Sequence, residues 1–327
     1  MAGMGKRMRP HTLTIPKPLI SLAGKSIVQR LVEEIAGVIP DKIDEIGFVI
    51  GNFGRETEEE LLSIAARTGA KGKIFYQHQP LGTAHAILCA DEMLSGKVII
   101  AYADTLFKAD FEMDDSKDGI IWVQKVDNPE SFGVVELNQE GNITAFHEKP
   151  RQFISDMAII GIYYFRDGDY LKNELQYLID KGIKTGGEFG ITDALQNMMH
   201  KGTRFSTDTV TEWLDCGNKD ATVFTHQRIL EYHRNEKLIA GNVEIHDSII
   251  IEPCYIGPNA KLLNSVIGPY VSIGDNSIID HCVIENSVVQ KHTSMKNMVV
   301  NNSMIGHHVD IQRNPEDLSV GDFNQIR

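Results

Sequence analysis

No stretch of this 327-residue sequence is apolar for long enough to cross a bilayer. The longest wholly apolar run, Met157 to Phe165, has nine residues, against roughly 18 or more for a spanning helix. Cysteine is scarce too. Cys89, Cys216, Cys254 and Cys282 lie far apart with no CxxC spacing, which excludes a disulfide framework or a paired-thiol metal site and predicts reduced core residues. The opening residues lack an apolar segment behind their basic ones, having Pro10, Pro16 and Pro18 instead. That excludes a secretory signal of the ordinary kind and predicts a cytoplasmic, membrane-free protein.

Acidic residues are missing from positions 1–32, which hold six of the 32 lysines and arginines; the rest of the chain sets 26 cations against all 45 acids. A net charge of −13 argues against a nucleic-acid partner. One cationic, glycine- and proline-rich segment in an otherwise anionic chain points instead to a small phosphorylated ligand. The composition is 42% hydrophobic and 24% charged, a globular balance, and the length suggests about two domains.

What is present alternates. Ile27, Leu31, Ile35 and Val38 recur at helical spacing behind Ser26, a candidate N-cap. A strand is predicted at Glu45 to Gly51, a helix around Leu61 to Ala66 ended by Gly69, a strand at Lys73 to Gln79, a helix at Thr83 to Leu94 and a strand at Val98 to Ala103. Such β/α alternation predicts a mostly parallel sheet with ligands at the carboxyl ends of its strands. From Ile120 to Phe165 the texture is strand-rich, with a hairpin signal at Asn138 to Asn142, and helices return at Leu171 to Asp180, Thr192 to His200 and Lys219 to Arg234.

Beyond about Ala240 aliphatic residues fall at steps of five or six, and Ile256, Ile273, Val289 and Ile305 mark one turn per 16 or 17 residues. This is the spacing of a β-helix of about four coils, whose open ends and flat faces predict a packing partner. Gly3-Met4-Gly5-Lys6-Arg7, followed by Pro16-Lys17-Pro18, is a glycine-rich turn with cations, suited to phosphate oxygens.

These residues resemble the sugar-1-phosphate nucleotidylyltransferases, such as glucose-1-phosphate thymidylyltransferase. The likeness continues through Pro80-Leu81-Gly82-Thr83-Ala84, Asp104, Phe132-Gly133-Val134-Val135, Glu148-Lys149-Pro150, Gly161-Ile162-Tyr163 and Trp213-Leu214-Asp215-Cys216-Gly217. It spans essentially the whole chain. It implies an α/β fold: a Rossmann-like nucleotidyltransferase domain with a mostly parallel sheet over residues 1–237, followed by a short left-handed parallel β-helix of hexapeptide repeats over residues 238–327.

The resemblance also implies a reaction, in which a sugar 1-phosphate oxygen attacks the α-phosphorus of a nucleoside triphosphate and pyrophosphate leaves. A pyrimidine nucleotide, dTTP or UTP, and glucose 1-phosphate are the expected pair. By the same resemblance Arg7, Lys17 and Asp104 are catalytic, and the loop of Ala2, Gly3, Met4, Gly5, Lys6 and Arg7 cradles the triphosphate. Gln77 (or Gln79), Gly82 and Thr83 read the base. Gly133, Glu148, Lys149 and Gly161 take the sugar phosphate, and Asp104 and Asp215 hold Mg²⁺. Lys6 stands where many members carry Thr. The family has a short apolar strand ahead of the glycine loop, and here the sequence opens at the loop: either the start is truncated or the sheet lacks that strand. His281, His292, His307 and His308 are expected on the β-helix surface. A bifunctional enzyme with acetyl transfer in the β-helix, a non-catalytic regulatory relative and a homo-oligomer are the further expectations.

Overall fold

The computed structural model describes residues 3, 5–314, 316–323 and 325. By internal contacts the chain divides into two compact units, Met1–Ile20 with Ser26–Asn218, and Ser21–Lys25 with Lys219–Arg327. The contact division thus falls at 218/219, and the helix that follows groups with the C-terminal unit.

Two short strands, β1 (Ser21–Leu22), which groups with the second unit, and β2 (Lys25–Ser26), precede α1 (Ile27–Val38) of the first unit. Ser26 Oγ accepts a hydrogen bond from Gln29 N at 3.3 Å, satisfying one of the helix's orphan donors, and the stripe Ile27, Leu31, Ile35 and Val38 is buried. Next come β3 (Glu45–Ile50), α2 (Arg55–Arg67) and β4 (Lys71–Tyr76), a parallel βαβ unit. Gly69, at φ +83°, turns the chain out of α2 where a side chain would be strained. Then follow α3 (Thr83–Leu88), β5 (Val98–Ala101), β6 (Thr105–Lys108), β7 (Gly119–Lys125), β8 (Gly133–Leu137), β9 (Ile143–Glu148) and β10 (Met157–Phe165). After these come α4 (Gly168–Lys181), α5 (Ile191–His200), β11 (Phe205–Thr209) and β12 (Glu212–Asp215).

The main sheet runs β11-β7-β10-β8-β9, with β5 beside the second half of β10. Pairing in it is mixed: β11 is parallel to β7 and the other ladders are antiparallel. Parallel ladders predominate only when the C-terminal unit is included. Among the described residues β3 pairs with β4 alone and β5 with β10 alone. The core lies between the sheet and α3, α4 and α5, filled by Ile121, Val123, Tyr163, Phe165, Leu175 and Leu195 among others.

The second unit is α6 (Lys219–Tyr232) and a β-helix of about four turns. Its first face stacks Glu244–His246, Lys261–Leu263, Ile278–Asp280, Ser294–Lys296 and Asp310–Gln312. The second stacks Ile249–Ile250, Val266–Ile267, Val283–Glu285 and Val299–Asn301. The third stacks Cys254–Ile256, Val271–Ile273, Ser287–Val289 and Met304–Ile305. Every ladder is parallel and in register, and Ile256, Leu262, Ile267, Ile273, Ile279 and Ile284 are fully buried inside. The corners turn through positive φ at Asn259, Asn264, Asn276, His281, His292, Asn297 and His308; Asn and His tolerate this region better than most side chains. Cys216, Cys254 and Cys282 are buried and Cys89 half-buried, all as free thiols.

Candidate active site

Proline starts the construction. Pro16 and Pro18 hold the segment in a tight 3₁₀ turn, Lys17–Leu19, that buries Lys17. The ammonium donates to Asp104 Oδ2 at 2.8 Å. Asp104 lies in the turn between β5 and β6, and β6 pairs antiparallel with β12 so that Thr105 faces Asp215; Cys216 N donates to the Asp104 carbonyl at 3.0 Å. Two residues more than a hundred positions apart are thereby made neighbours.

Asp215 Oδ1 accepts from Gly217 N at 2.8 Å. A Cβ at Gly217 would sit 2.9 Å from both Asp215 oxygens and 3.3 Å from the Arg7 guanidinium, so the glycine is needed where carboxylate and arginine crowd together. Burial raises the Asp215 pKa and the Asp104 carboxylate adds to it, while the Gly217 N–H, Lys17 and Arg7 pull the other way. Arg7, Lys17, Asp104 and Asp215 therefore converge, as the sequence predicts. Among the described residues no group of three or more His, Cys, Asp or Glu could hold a metal. Two carboxylates that repel one another, beside a phosphate-suited loop, fit Mg²⁺, which binds through one or two carboxylates plus phosphate oxygens.

The glycine loop turns at Gly5 (φ +52°), and Thr12 Oγ1 donates to the Gly5 carbonyl at 2.8 Å. Met8 is buried as its anchor while Lys6 and Arg7 are exposed. Gly3 is exposed; Ala2 and Met4 lie outside the described residues.

Around the Pro80-to-Ala84 loop, Gln77 Nε2 donates to the Gly82 carbonyl at 3.1 Å and lies 3.0 Å from His85 Nδ1; Gln79 is exposed. Gly82 has φ +119°, and a Cβ there would meet the Phe189 carbonyl at 2.4 Å. Phe189 N donates to the Leu81 carbonyl, Ala84 N to the Phe189 carbonyl, and Ile191 N to Thr83 Oγ1. The loop is strapped to the start of α5.

On the remaining side Gly133 and Glu148 are register partners on β8 and β9, and a Cβ at Gly133 would lie 3.2 Å from Glu148 Oε2. Lys149, at φ +45°, sets its ammonium 3.9 Å from Glu148 Oε1 and is mostly exposed. Gly161 (φ +85°) leaves room for the ring of Tyr102, which a Cβ would approach to 2.8 Å. A cavity of about 530 Å³ opens beside Glu148, lined also by Pro150, Arg151, Thr185, Thr192 and Asp193.

Sequence reasoning missed Tyr102 and Tyr163. Their rings meet edge to face at 5.7 Å, and Tyr102 also bonds Thr83, linking the Gly82 loop to the neighbourhood of Glu148 and Asp104. Burial pushes the Tyr102 phenol up to about 12 and raises that of Tyr163 well above its ordinary value, so both stay protonated at ordinary pH. The available signal was position: Tyr102 stands two residues before Asp104, and Tyr163 ends Gly161-Ile162-Tyr163. In the β-helix, His281, His292 and His308 are exposed and His307 is half-buried.

The nucleotidyl transferase family profile matches residues 1–231. The chain belongs to this family. The nucleotidyltransferase is 30% identical to the low-salt glycan biosynthesis nucleotidyltransferase Agl11 of Haloferax volcanii, over 99% of this chain and 98% of that one. It is 27% identical to glucose-1-phosphate thymidylyltransferase of Streptomyces griseus, over 96% and 92%. It is 26% identical to the bifunctional protein GlmU of Methanococcus vannielii, over 93% and 76%. A crystal structure of a putative glucose-1-phosphate thymidylyltransferase from Bacillus anthracis superposes with a TM-score of 0.59 at 21% identity, covering 69% of this chain and 91% of the other. That likeness concerns the fold alone. No helix among the described residues is long and apolar enough to cross a membrane.

Proposed function

We propose that this nucleotidyltransferase transfers a nucleotidyl group from dTTP or UTP to a sugar 1-phosphate, glucose 1-phosphate by preference, giving a nucleotide-sugar and pyrophosphate. The observation that carries the reading is the convergence of Lys17, Asp104, Asp215 and Arg7. The names of the Streptomyces relatives support the choice of substrates.

An anionic phosphate oxygen attacks the α-phosphorus, a new P–O bond forms, and the bond to the pyrophosphate oxygen breaks in line. The attacking oxygen is already deprotonated, so no side chain has to remove a proton. The residues must bring two polyanions together and stabilise spreading charge. Arg7 faces the leaving pyrophosphate and Lys17 the transferring group, and Gln77 with the Gly82 backbone takes the base. Glu148 accepts from sugar hydroxyls and Lys149 pairs with the sugar phosphate. Bound Mg²⁺, held by Asp104 and Asp215, would neutralise charge between the two phosphates. The transfer chemistry belongs to residues 1–237, and residues 238–327 carry none of it. The enzyme works in the cytoplasm, where its nucleotide substrates are held.

A panel of four nucleoside triphosphates against several sugar 1-phosphates, scored by pyrophosphate release with and without Mg²⁺, tests this. Turnover is expected to be fastest with dTTP or UTP and glucose 1-phosphate and to vanish with chelator. A preference for GTP, or silence across the panel, rejects the assignment.

A further inference from the structure

Gln77 directly follows β4, its backbone N–H donating to the Ile50 carbonyl at 2.9 Å, and its side chain reaches the first turn of α3. There Nε2 lies 3.1 Å from the Gly82 carbonyl and 3.0 Å from His85 Nδ1. Cys89, one helical turn beyond His85, brings its Sγ to 4.0 Å from the same ring nitrogen.

These contacts decide where the hydrogens lie. A backbone carbonyl can only accept, so the end of the Gln77 amide that meets Gly82 is the NH₂ end. That group carries a second hydrogen, and its other neighbour is His85 Nδ1. The ring nitrogen must therefore accept, which places the proton of the neutral imidazole on Nε2. Cys89 points the same way: burial raises its thiol pKa, so the S–H persists and Nδ1 has a second donor beside it. The Gly82 carbonyl is itself anchored, since it also accepts from Ala86 N at 3.1 Å. Both amide hydrogens are thus engaged within the protein, and what the amide can offer a ligand is Oε1, an acceptor.

We propose that His85 is a positioning residue for nucleobase selection: by accepting from Gln77 Nε2 it fixes the amide so that the base is met by an acceptor alone. The proposal rests on the reading above that Gln77 meets the nucleobase. Uracil and thymine carry N3–H, a donor that Oε1 satisfies. Cytosine has a lone pair at N3, and two acceptors would then stand face to face with neither paired. An amide tied only to Gly82 could swing and offer its second hydrogen to cytosine. The imidazole thus supplies discrimination between pyrimidines by acting through Gln77.

Two kinds of measurement on the full-length protein test this. Nitrogen-15 NMR at mildly alkaline pH should show the His85 ring with a pyridine-type Nδ1 and a protonated Nε2, the signals being assigned by their loss in H85N. In steady-state kinetics H85L should reduce the preference for UTP or dTTP over CTP in kcat/KM by about five- to tenfold, the effect of one neutral hydrogen bond, with the KM for the sugar 1-phosphate unchanged. H85N, whose side-chain oxygen can accept where Nδ1 did, should restore the preference; a histidine that only filled space would not separate Leu from Asn in this way. A protonated Nδ1 in the parent overturns the proposal even where H85L fails to fold, and so does an H85N variant that behaves like H85L. If Q77A loses the pyrimidine preference while H85L keeps it, the proposal falls and base reading by Gln77 stands. If Q77A keeps it as well, both fall.

Discussion

Lys17 is less than a tenth exposed, and an ammonium buried that far needs an anion beside it. Asp104 supplies one, and it also faces Asp215, so one carboxylate is shared between a cation of the protein and a second carboxylate. Asp104→Asn should lower turnover by about 10²-fold or more while circular dichroism shows a folded protein; retained turnover would remove Asp104 from the chemistry. Asp215 makes a separate prediction through pH. Its folded-state pKa is raised, chiefly by burial and then by Asp104. The folded protein therefore holds that proton more tightly than the unfolded chain, whose value is about 3.9. The stabilisation is complete below about pH 4 and is lost as pH climbs through the raised value. In metal-free protein, Asp215→Asn should gain thermal stability relative to the parent as pH rises across that window, and Mg²⁺ should bind the parent more tightly over the same rise. Parallel melting curves for parent and variant would contradict the assignment.

At the scale of elements, the strap between the Gly82 loop and α5 leaves little room for change. Gly82 combines φ +119° with a carbonyl where its Cβ would be, so Gly82→Ala must displace either the loop or Phe189. The KM for the nucleoside triphosphate should rise about tenfold with the KM for the sugar phosphate little changed. Equal increases in both would mean that the joint positions the whole cleft. Little of this strap was legible in the sequence, because it joins residues about a hundred positions apart, and apart from the Thr83 hydroxyl it does so through backbone atoms that carry no residue signature. The Ser26 cap, the hairpin of β8 and β9, and the turn spacing of the β-helix were legible, since each is set by local chemistry or by a strict repeat. The helix expected over Thr83 to Leu94 closes at Leu88, and Asp91–Met93 forms a separate 3₁₀ turn. Periodicity saw one apolar stripe there and could not see the break. Tyr102 was illegible for a related reason: its role follows from the space above Gly161, which no spacing rule contains.

Across the whole molecule the charge pattern bears on how substrates arrive. Residues 1–32 carry six cations and no acid, while the remainder sets 26 cations against 45 acids. Two polyanionic substrates therefore approach a protein of net negative charge whose acid-free segment includes the glycine loop. Such an arrangement focuses anions toward one site, and screening by salt erodes both the repulsion and the focus. The sign of the net effect depends on distance. Repulsion from scattered surface acids acts from afar and is screened first, whereas attraction by Lys6, Arg7 and Lys17 acts at contact and survives longer. The KM for the triphosphate should accordingly fall slightly on moving from very low to moderate ionic strength, then rise several-fold toward high salt as contact attraction is screened. Lys6 is exposed in the loop, so Lys6→Gln isolates its share. The variant should raise the KM for the triphosphate and flatten the high-salt limb, with kcat near the parent's. Identical salt profiles in steady-state kinetics would show that Lys6 stays out of the triphosphate's reach and that the cationic segment acts through Arg7 and Lys17 alone.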